Sequence, residues 1–367
     1  MRNNFKEFTR EELAVFIARL GQKPYRAKQI LDWIYRRFAY TFDEMTDLPA
    51  EFREELDKTS VISNLIPLTK QISSDGTRKF LFQLEDGKTI ESVLMPNARG
   101  ENKFTLCISS QAGCALGCAF CLTGKFGLKR NLKAFEIVDQ VIAVSKIISN
   151  PSPPSSYRKS ERSTSGGNLI QPSITNIVFM GMGEPLNNFN EVSEALSRIT
   201  NLMGFSMKRI TVSTAGIIPG IYKLAGKAPD VNLAISLNAT TDETRSRIMP
   251  VNKKYPLKEL LKACKEYPLA ARKRMTFEYV LLDGINDTRD DAVRLIKLLR
   301  GIKAKVNLIP YNPAPLKKNT ALYRRSSGDN ILEFQNILRK AKIMAIIRKS
   351  MGADISAACG QLKANYK

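Results

Sequence analysis

From residue 104 onward, short apolar runs alternate with helix-length amphipathic stretches, and this rhythm confines the chain to few folds. The runs lie at residues 104–109, 174–180, 209–214, 232–237, 276–282 and 305–309. Each is short enough for a strand and apolar enough to be buried in a sheet. Strands that recur with helical segments between them imply parallel pairing, in a sheet that is doubly wound or closed as a full or partial barrel. Six units are too few for an eight-stranded barrel, so the expected α/β architecture is a partial (β/α)6 barrel.

The regions before the barrel read differently. Residues 1–60 hold three segments of helical periodicity, at 11–19, 26–38 and 49–56, and read as a small helical domain. Residues 61–100 carry two Asp-Gly pairs, Asp75-Gly76 and Asp86-Gly87, between alternating apolar runs. Asp-Gly suits the positive φ of tight turns, so a short antiparallel meander is expected. The barrel then spans 101–350, and 351–367 form a C-terminal segment. One stretch, 150–172, is rich in Ser, Pro and Gly without apolar periodicity and reads as a mobile insertion.

Charge narrows the function. The 367 residues carry 57 Lys and Arg against 35 Asp and Glu, a net +22. Residues 1–60 are balanced, with 11 basic and 11 acidic side chains, so the excess belongs to the rest. Such a chain suits an anionic partner, nucleic acid or a membrane surface. No apolar run approaches the ~18 residues of a membrane span, and the N-terminus lacks a signal-peptide core, so a cytoplasmic location is expected. Histidine is absent, which removes Ser-His triads, His-bearing zinc sites and His general bases. Six cysteines without a secretory signal read as thiols or ligands rather than a disulfide framework.

Three of those cysteines stand together in Cys114-Ala-Leu-Gly-Cys118-Ala-Phe-Cys121, just after the first strand of the barrel series. Three thiolates in one loop can converge on a metal centre. Structural zinc wants a fourth ligand, and neither a second C-x2-C pair nor histidine is present. A [4Fe-4S] cluster held by three cysteines keeps one iron open. On the residues alone, both remain readings. The later strands end in small polar residues: Gly181-Met-Gly183-Glu184-Pro, Ser213-Thr-Ala-Gly216 and Ser236-Leu237-Asn238. The carboxyl ends of parallel strands are the usual binding edge of such sheets, so these describe a polar small-molecule site beside the thiols.

The stretch from Ile108-Ser-Ser-Gln-Ala-Gly-Cys114 through Gly124-Lys125, the Gly181 turn, Asn307-Leu-Ile-Pro-Tyr-Asn312-Pro and Ala357-Ala-Cys359-Gly-Gln-Leu362 resemble the RlmN/Cfr family of radical S-adenosylmethionine (SAM) RNA adenine methyltransferases. The likeness spans nearly the whole chain apart from the insertion. The N-terminal Gly21-Gln-Lys-Pro-Tyr-Arg-Ala-Lys-Gln-Ile with Phe42-Asp-Glu-Met is nearer to the RlmN branch, and Gly127-Leu-Lys-Arg somewhat nearer to Cfr. Asn238 departs from the histidine usual there, and Leu122 from the usual alanine.

The resemblance implies a radical SAM partial barrel and methylation of an electrophilic adenine carbon, carbon 2 favoured over carbon 8, in 23S rRNA and possibly tRNA. It implies one [4Fe-4S] cluster on Cys114, Cys118 and Cys121 and two SAM molecules per turnover. SAM contacts fall to Gly183, Glu184, Ser213, Ser236, Leu237, Asn238 and Asn312. Cys359 would carry the methyl group, Glu91 would accept a proton, and Cys107 would release the product through a transient Cys107–Cys359 disulfide. Both catalytic thiols are expected in an accessible, electropositive setting. An external donor such as flavodoxin or ferredoxin and action as a monomer complete the expectation. Cys264, left over, reads as a small buried hydrophobe.

Rival classes are a basic RNA-binding protein with a structural cluster, and a radical SAM activase or methylthiolase. A methylthiolase needs a second cluster, for which the remaining cysteines are too scattered. The basic residues Lys317, Lys318, Arg324, Arg325, Arg339, Lys340, Lys342, Arg348 and Lys349 crowd the C-terminal part and suit phosphate binding. RNA affinity is therefore expected to fall steeply with salt. Neutralising Arg324 and Arg325 should lower the slope of log affinity against log salt by about one unit for each phosphate they neutralise in the wild type. Filter binding across a salt series checks this, and a flat response would assign the charge elsewhere.

Overall fold

The computed structural model describes residues 2–97, 100, 102–149, 173–228, 230–313 and 323–363. The 150–172 insertion and the pair Lys317 and Lys318 lie outside the described residues. The chain opens with three helices where periodicity places them: α1 (Arg10–Arg19), α2 (Tyr25–Tyr35) and α3 (Ala50–Thr59). Thr9 starts α1 with a capping box: its side chain accepts from Glu12 N, and Glu12 accepts from Thr9 N. Leu13 and Ile17 on α1, Ile30 and Ile34 on α2, and Phe52 and Leu56 on α3 are buried, and they merge with the barrel into one apolar core.

Polar interactions fix the same junction. The Lys6 ammonium lies 2.6 Å from the Asp139 carboxylate, with side chains 1% and 3% exposed. Arg198 donates to the Lys6 and Phe8 carbonyls and to the Tyr35 hydroxyl. Burial outweighs the neighbouring ammonium at Asp139 and pushes its carboxyl up to about 6.

Ten strands form one sheet whose spatial order follows the sequence. Strands β1 (Pro67–Ile72), β2 (Arg78–Gln83) and β3 (Thr89–Pro96) form the expected antiparallel meander, and β3 pairs antiparallel with β4 (Lys103–Cys107). Gly76 and Gly87 sit at the two turns with φ of 83° and 77°, as Asp-Gly predicts. From β4 the pairing is parallel through β5 (Ser173–Phe179), β6 (Ile210–Thr214), β7 (Asn232–Ser236), β8 (Met275–Leu281), β9 (Ala304–Pro310) and β10 (Met344–Ile347). The crossings are α4 (Ala134–Ser149), α5 (Phe189–Ser197), α6 (Ile218–Lys227), the pair α7 (Asp242–Ile248) and α8 (Leu257–Glu266), α9 (Arg289–Leu298) and α10 (Gly328–Lys340).

The six expected strands are thus β4 to β9, and a seventh parallel strand, β10, closes the sixth unit. Met344-Ala-Ile-Ile347 is only four residues long, lies between Lys342 and Arg348, and buries Ala345 alone. An edge strand of this kind carries too little hydrophobic signal to stand out.

The Lys6–Asp139 pair gives a test with a definite sign. Asp139 is an acid whose pKa is raised on folding, so its contribution is fully present below its unfolded pKa and is lost as pH rises through about 6. Lys6→Met removes the ammonium that offsets this loss. Chemical denaturation should show a loss of about 3–5 kcal/mol at pH 8 and a smaller loss at pH 5, where Asp139 is protonated. Equal losses at both values would contradict the assignment.

Candidate active site

The three-cysteine loop is shaped by its backbone before any ligand is considered. A two-stranded hairpin brackets it, with Gln111–Gly113 antiparallel to Leu128–Asn131. Gly113, at φ 82°, packs so closely that a β-carbon there would strike the Gly127 carbonyl. Within the loop Cys121 N donates to Cys118 O at 3.0 Å, and Ala119 N donates to Ile248 O at 2.9 Å. These bonds hold Cys114, Cys118 and Cys121 half-buried on the wall of one cavity. Loss of water pushes Cys114 up to about 12 and raises Cys118 further, and the nearby thiols add to both shifts. Among the described residues no three Cys, Asp or Glu side chains close round a single ion. One zinc ion, with Zn–S near ~2.3 Å, would need them that close; a polynuclear group would not.

Opposite the thiols, the same cavity is lined by the ends of the parallel strands, including Gly183, Glu184, Ser213, Ser236, Asn238 and Asn312. Gly183 has φ 99°, and a β-carbon there would lie 2.5 Å from Gln111 Cβ, so glycine is required. Glu184 fastens two strand ends together. Its Oε2 accepts from Ala215 N at 2.7 Å, its Oε1 accepts from Leu186 N at 3.1 Å, and its own N–H donates to Gln111. Burial nevertheless pushes its carboxyl up to about 7.

Leu237 does not line the cavity: its side chain is buried, and its carbonyl accepts from the Arg245 guanidinium at 3.0 Å. Asn238 reaches the cavity in the left-handed conformation, φ 58°, which asparagine tolerates better than most residues. Its side chain is spent within the protein, with Oδ1 accepting from Val280 N at 2.8 Å and Nδ2 donating to the Met249 sulfur.

A second cavity lies behind the first, lined from β3 round to β10, and Cys107 is on its wall. Cys359, Glu278, Met180, Ile309 and Asn312 line both cavities. Cys359 sits in a β-turn closed by Gln361 N donating to Ala358 O at 3.0 Å, with Gly360 at φ 83° in its third position. Leu122 N donates to Gly360 O at 2.7 Å, and Thr123 Oγ1 donates to Leu362 O at 2.7 Å, so this turn is docked on the cysteine loop.

Basic side chains do reach the thiols, since Lys305, Arg348 and Lys349 line the second cavity with Cys107 and Cys359 against the single carboxylate of Glu278, yet neither thiol ends up lowered by them. Cys107 is buried, and loss of water raises its thiol well above the ordinary range. Cys359 is exposed, yet the solvent it meets is that of cavities walled by protein. Burial first and the Glu278 carboxylate second push it up to about 11, with Arg348 acting against them. All six cysteines are free thiols, so the expected Cys107–Cys359 pair is two neighbours on one cavity, not a bond. Cys264 is buried among apolar neighbours, as expected.

Glu91 lines neither cavity. Its carboxylate pairs with Lys79 at 3.3 Å and accepts from Lys363 N at 2.8 Å. The carboxylate that both cavities share is Glu278, in register between Ser236 on β7 and Asn307 on β9. Asn307 Nδ2 donates to its Oε1 at 2.8 Å, and burial raises its pKa. Sequence reasoning passed over it because one acidic residue inside an apolar run has no motif. Arg245 was missed likewise. It is fully buried on α7 and donates to the Ala215, Ser236 and Leu237 carbonyls, holding the ends of β6 and β7 together.

Comparison with known proteins agrees with this arrangement. Residues 3–62 match the family model described as the ribosomal RNA large subunit methyltransferase N-terminal domain, and residues 108–298 match the radical SAM superfamily. The chain is 48% identical to the dual-specificity RNA methyltransferase RlmN of Geotalea uraniireducens, over 98% of this chain and 96% of that one. It is 49% identical to the protein of the same name from Geobacter sulfurreducens, over 98% and 92%. The crystal structure of a radical SAM methyltransferase from Sphaerobacter thermophilus superposes with a TM-score of 0.86 at 41% identity, covering 99% of this chain and all of that one.

The thiol environment sets a test. Thiols raised by burial must ionise to bind iron, so iron uptake by the metal-free protein should release protons and strengthen as pH rises. Anaerobic reconstitution should give about four irons per chain, abolished by changing Cys114, Cys118 or Cys121 to Ala. Stoichiometric zinc without iron would overturn the assignment.

Proposed function

The chain belongs to the RlmN family of radical SAM methyltransferases, and from that premise we propose that it methylates carbon 2 of adenine in 23S rRNA and in tRNA. The match of residues 3–62 to the N-terminal domain model supports carbon 2 over carbon 8, and the dual specificity in the relatives' names supports two kinds of RNA. The observation that carries the reading is the position of Cys359 on the wall shared by the thiol-lined cavity and the cavity of Cys107.

The residues present fit the cofactors of this superfamily. Cys114, Cys118 and Cys121 would hold the [4Fe-4S] cluster, and they share one wall without converging on a single ion. Gly183 and Glu184 with Ser213, Ser236 and Asn312 would border SAM, at the bare backbone and polar strand ends. Leu237 and Asn238 would act mainly through their backbone and through the shape they impose, since the Asn238 amide is already engaged. When bound, the cluster supplies single electrons, and SAM supplies a methyl group in one use and a 5′-deoxyadenosyl radical in the other.

The protein's own groups do the rest. Cys359 loses its proton and carries the methyl group, because an electrophilic ring carbon cannot attack a sulfonium methyl. After hydrogen removal from the carried methyl, its carbon bonds to the base, protein and RNA are joined through the Cys359 sulfur, and the adduct's unpaired electron would be returned to the bound cluster. The proton that leaves the ring carbon needs a carboxylate; the family resemblance assigns that to Glu91, and Glu278 is the carboxylate that faces both cavities. The Cys107 thiolate then attacks the Cys359 sulfur: an S–S bond forms, the S–C bond breaks with its electron pair left on the methylene carbon, which takes up a proton to become the product methyl, and a transient disulfide remains. Burial keeps both thiols protonated at rest, so each ionises only at its step. The Cys107–Cys359 disulfide must be reduced between turnovers, and a donor such as flavodoxin or ferredoxin supplies electrons to the cluster. These needs favour a cytoplasmic enzyme, and every group named comes from one chain, which suits a monomer.

Cys107→Ala should accumulate protein joined to RNA through Cys359, seen as a nuclease-sensitive shift on a denaturing gel. Cys359→Ala should form no adduct while keeping its iron, and the double variant should behave like Cys359→Ala. Two thiols with only a packing role would each cost ~1 kcal/mol of stability and trap nothing. Normal turnover by Cys107→Ala would overturn its assignment.

A further inference from the structure

The segment that carries Cys359 is held at both ends by one buried ion pair. Lys79 on β2 and Glu91 on β3 are 8% and 5% exposed and lie 3.3 Å apart. In the β2–β3 register Lys79 faces Val93 and Leu81 faces Glu91, so all four side chains lie on one face of the sheet. That face receives the C-terminal segment, whose Ala357 and Leu362 pack with Leu81, Val93 and Cys107. Each partner of the pair also binds backbone of the segment. The Lys79 ammonium donates to Ser356 O at 3.3 Å, three residues before Cys359, and Glu91 Oε2 accepts from Lys363 N at 2.8 Å, four residues after it.

Ser356 sits at φ 52°, in the left-handed region that a β-carbon disfavours, so its conformation depends on such external support. Other bonds to the segment lie nearer the surface: Ser73 Oγ and Ser74 N donate to Asp354, and Gly352 N donates to Asp75. They anchor its first residues, while the stretch around Cys359 is held by the buried pair, by the cysteine loop and by Gln361 Nε2 donating to Pro313 O at 2.9 Å.

We infer that Lys79 is a positioning residue and that the Lys79–Glu91 pair is a latch that keeps Cys359 on the wall between the two cavities. A buried pair is weak evidence for stability, because desolvation offsets its attraction, but a pair broken on one side leaves a buried charge unpaired. The latch therefore fixes register more than it adds stability. It also ties the segment to the chemistry. The pair and the segment meet on the face that also carries Cys107, so a loosened latch would shift Cys359 relative to both cavities. This role rests on Cys359 being the methyl carrier.

Hydrogen exchange on the iron-loaded full-length protein, without RNA or SAM, tests the latch. Lys79→Met should speed exchange of the Ala357, Gln361 and Lys363 amides by about tenfold or more, while amides of β2 and β3 stay protected. Lys79→Arg should largely restore protection. Glu91→Gln, which mimics the neutral acid, should also loosen the segment, and it carries the test alone if Lys79→Met does not fold. In turnover, Lys79→Met should lower kcat with little change in KM for RNA, and Lys79→Arg should recover it. Wild-type exchange rates in 356–363 for both Lys79→Met and Glu91→Gln would overturn the latch. A failure to trap RNA on Cys107→Ala would instead count against Cys359 as carrier, so the two failures are distinguishable.

Discussion

Two hydrogen bonds join parts of the chain that lie more than two hundred residues apart, and the site depends on them. Leu122 N to Gly360 O and Thr123 Oγ1 to Leu362 O seat the Cys359 turn on the loop that carries Cys114, Cys118 and Cys121. The cysteine loop is itself tied into the barrel by Ala119 N to Ile248 O and by the Gly113 approach to Gly127. Four thiols from the two ends of the barrel domain thus share one frame. The antiparallel strands β1 to β3 then have a clear physical use. They extend the sheet on the side where the C-terminal segment must be anchored, and Asp75, Lys79 and Glu91 all bond to that segment.

A chain without histidine builds its site from groups that burial keeps neutral or nearly so. Glu184 is pushed up to about 7, Glu278 is raised, Cys359 is pushed up to about 11 and Cys107 higher still. Arg245, brought down to about 10 by the same loss of water, is the exception that stays charged, and its hydrogen bonds go to the Ala215, Ser236 and Leu237 carbonyls. None of these groups is poised as a strong base or nucleophile at neutral pH. That suits chemistry in which the reactive species comes from bound cofactors, and the protein's task is to hold thiols close and release protons on demand.

Much of this was legible in the sequence, for identifiable reasons. Strands β4 to β9 are short runs with a buried apolar face, separated by periodic helices, so they declare themselves. The Asp-Gly turns and the cysteine spacing are local signals. Features that depend on distant parts of the chain were not legible. Lys79 reads as one more basic residue until its partners Glu91 and Ser356 are seen, and Glu278 reads as an interruption in a strand until the cavities are seen. Strand β10 is masked by flanking lysine and arginine. Asn238, where the resemblance expects a histidine, lines the first cavity in the left-handed conformation with its side chain bracing β8, which the sequence does not reveal. The net charge of +22 does not reveal that Lys305, Arg348 and Lys349 are the basic residues that reach the thiol cavity, nor that burial outweighs them at both thiols.

The most direct test of the account is mass mapping of nucleosides from RNA treated anaerobically with iron-loaded protein, SAM and a low-potential reductant. The account predicts a single added methyl group on carbon 2 of adenine, absent when Cys359 is replaced by Ala. A methyl group on carbon 8 or on a ring nitrogen, or methylation that persists without Cys359, would contradict it.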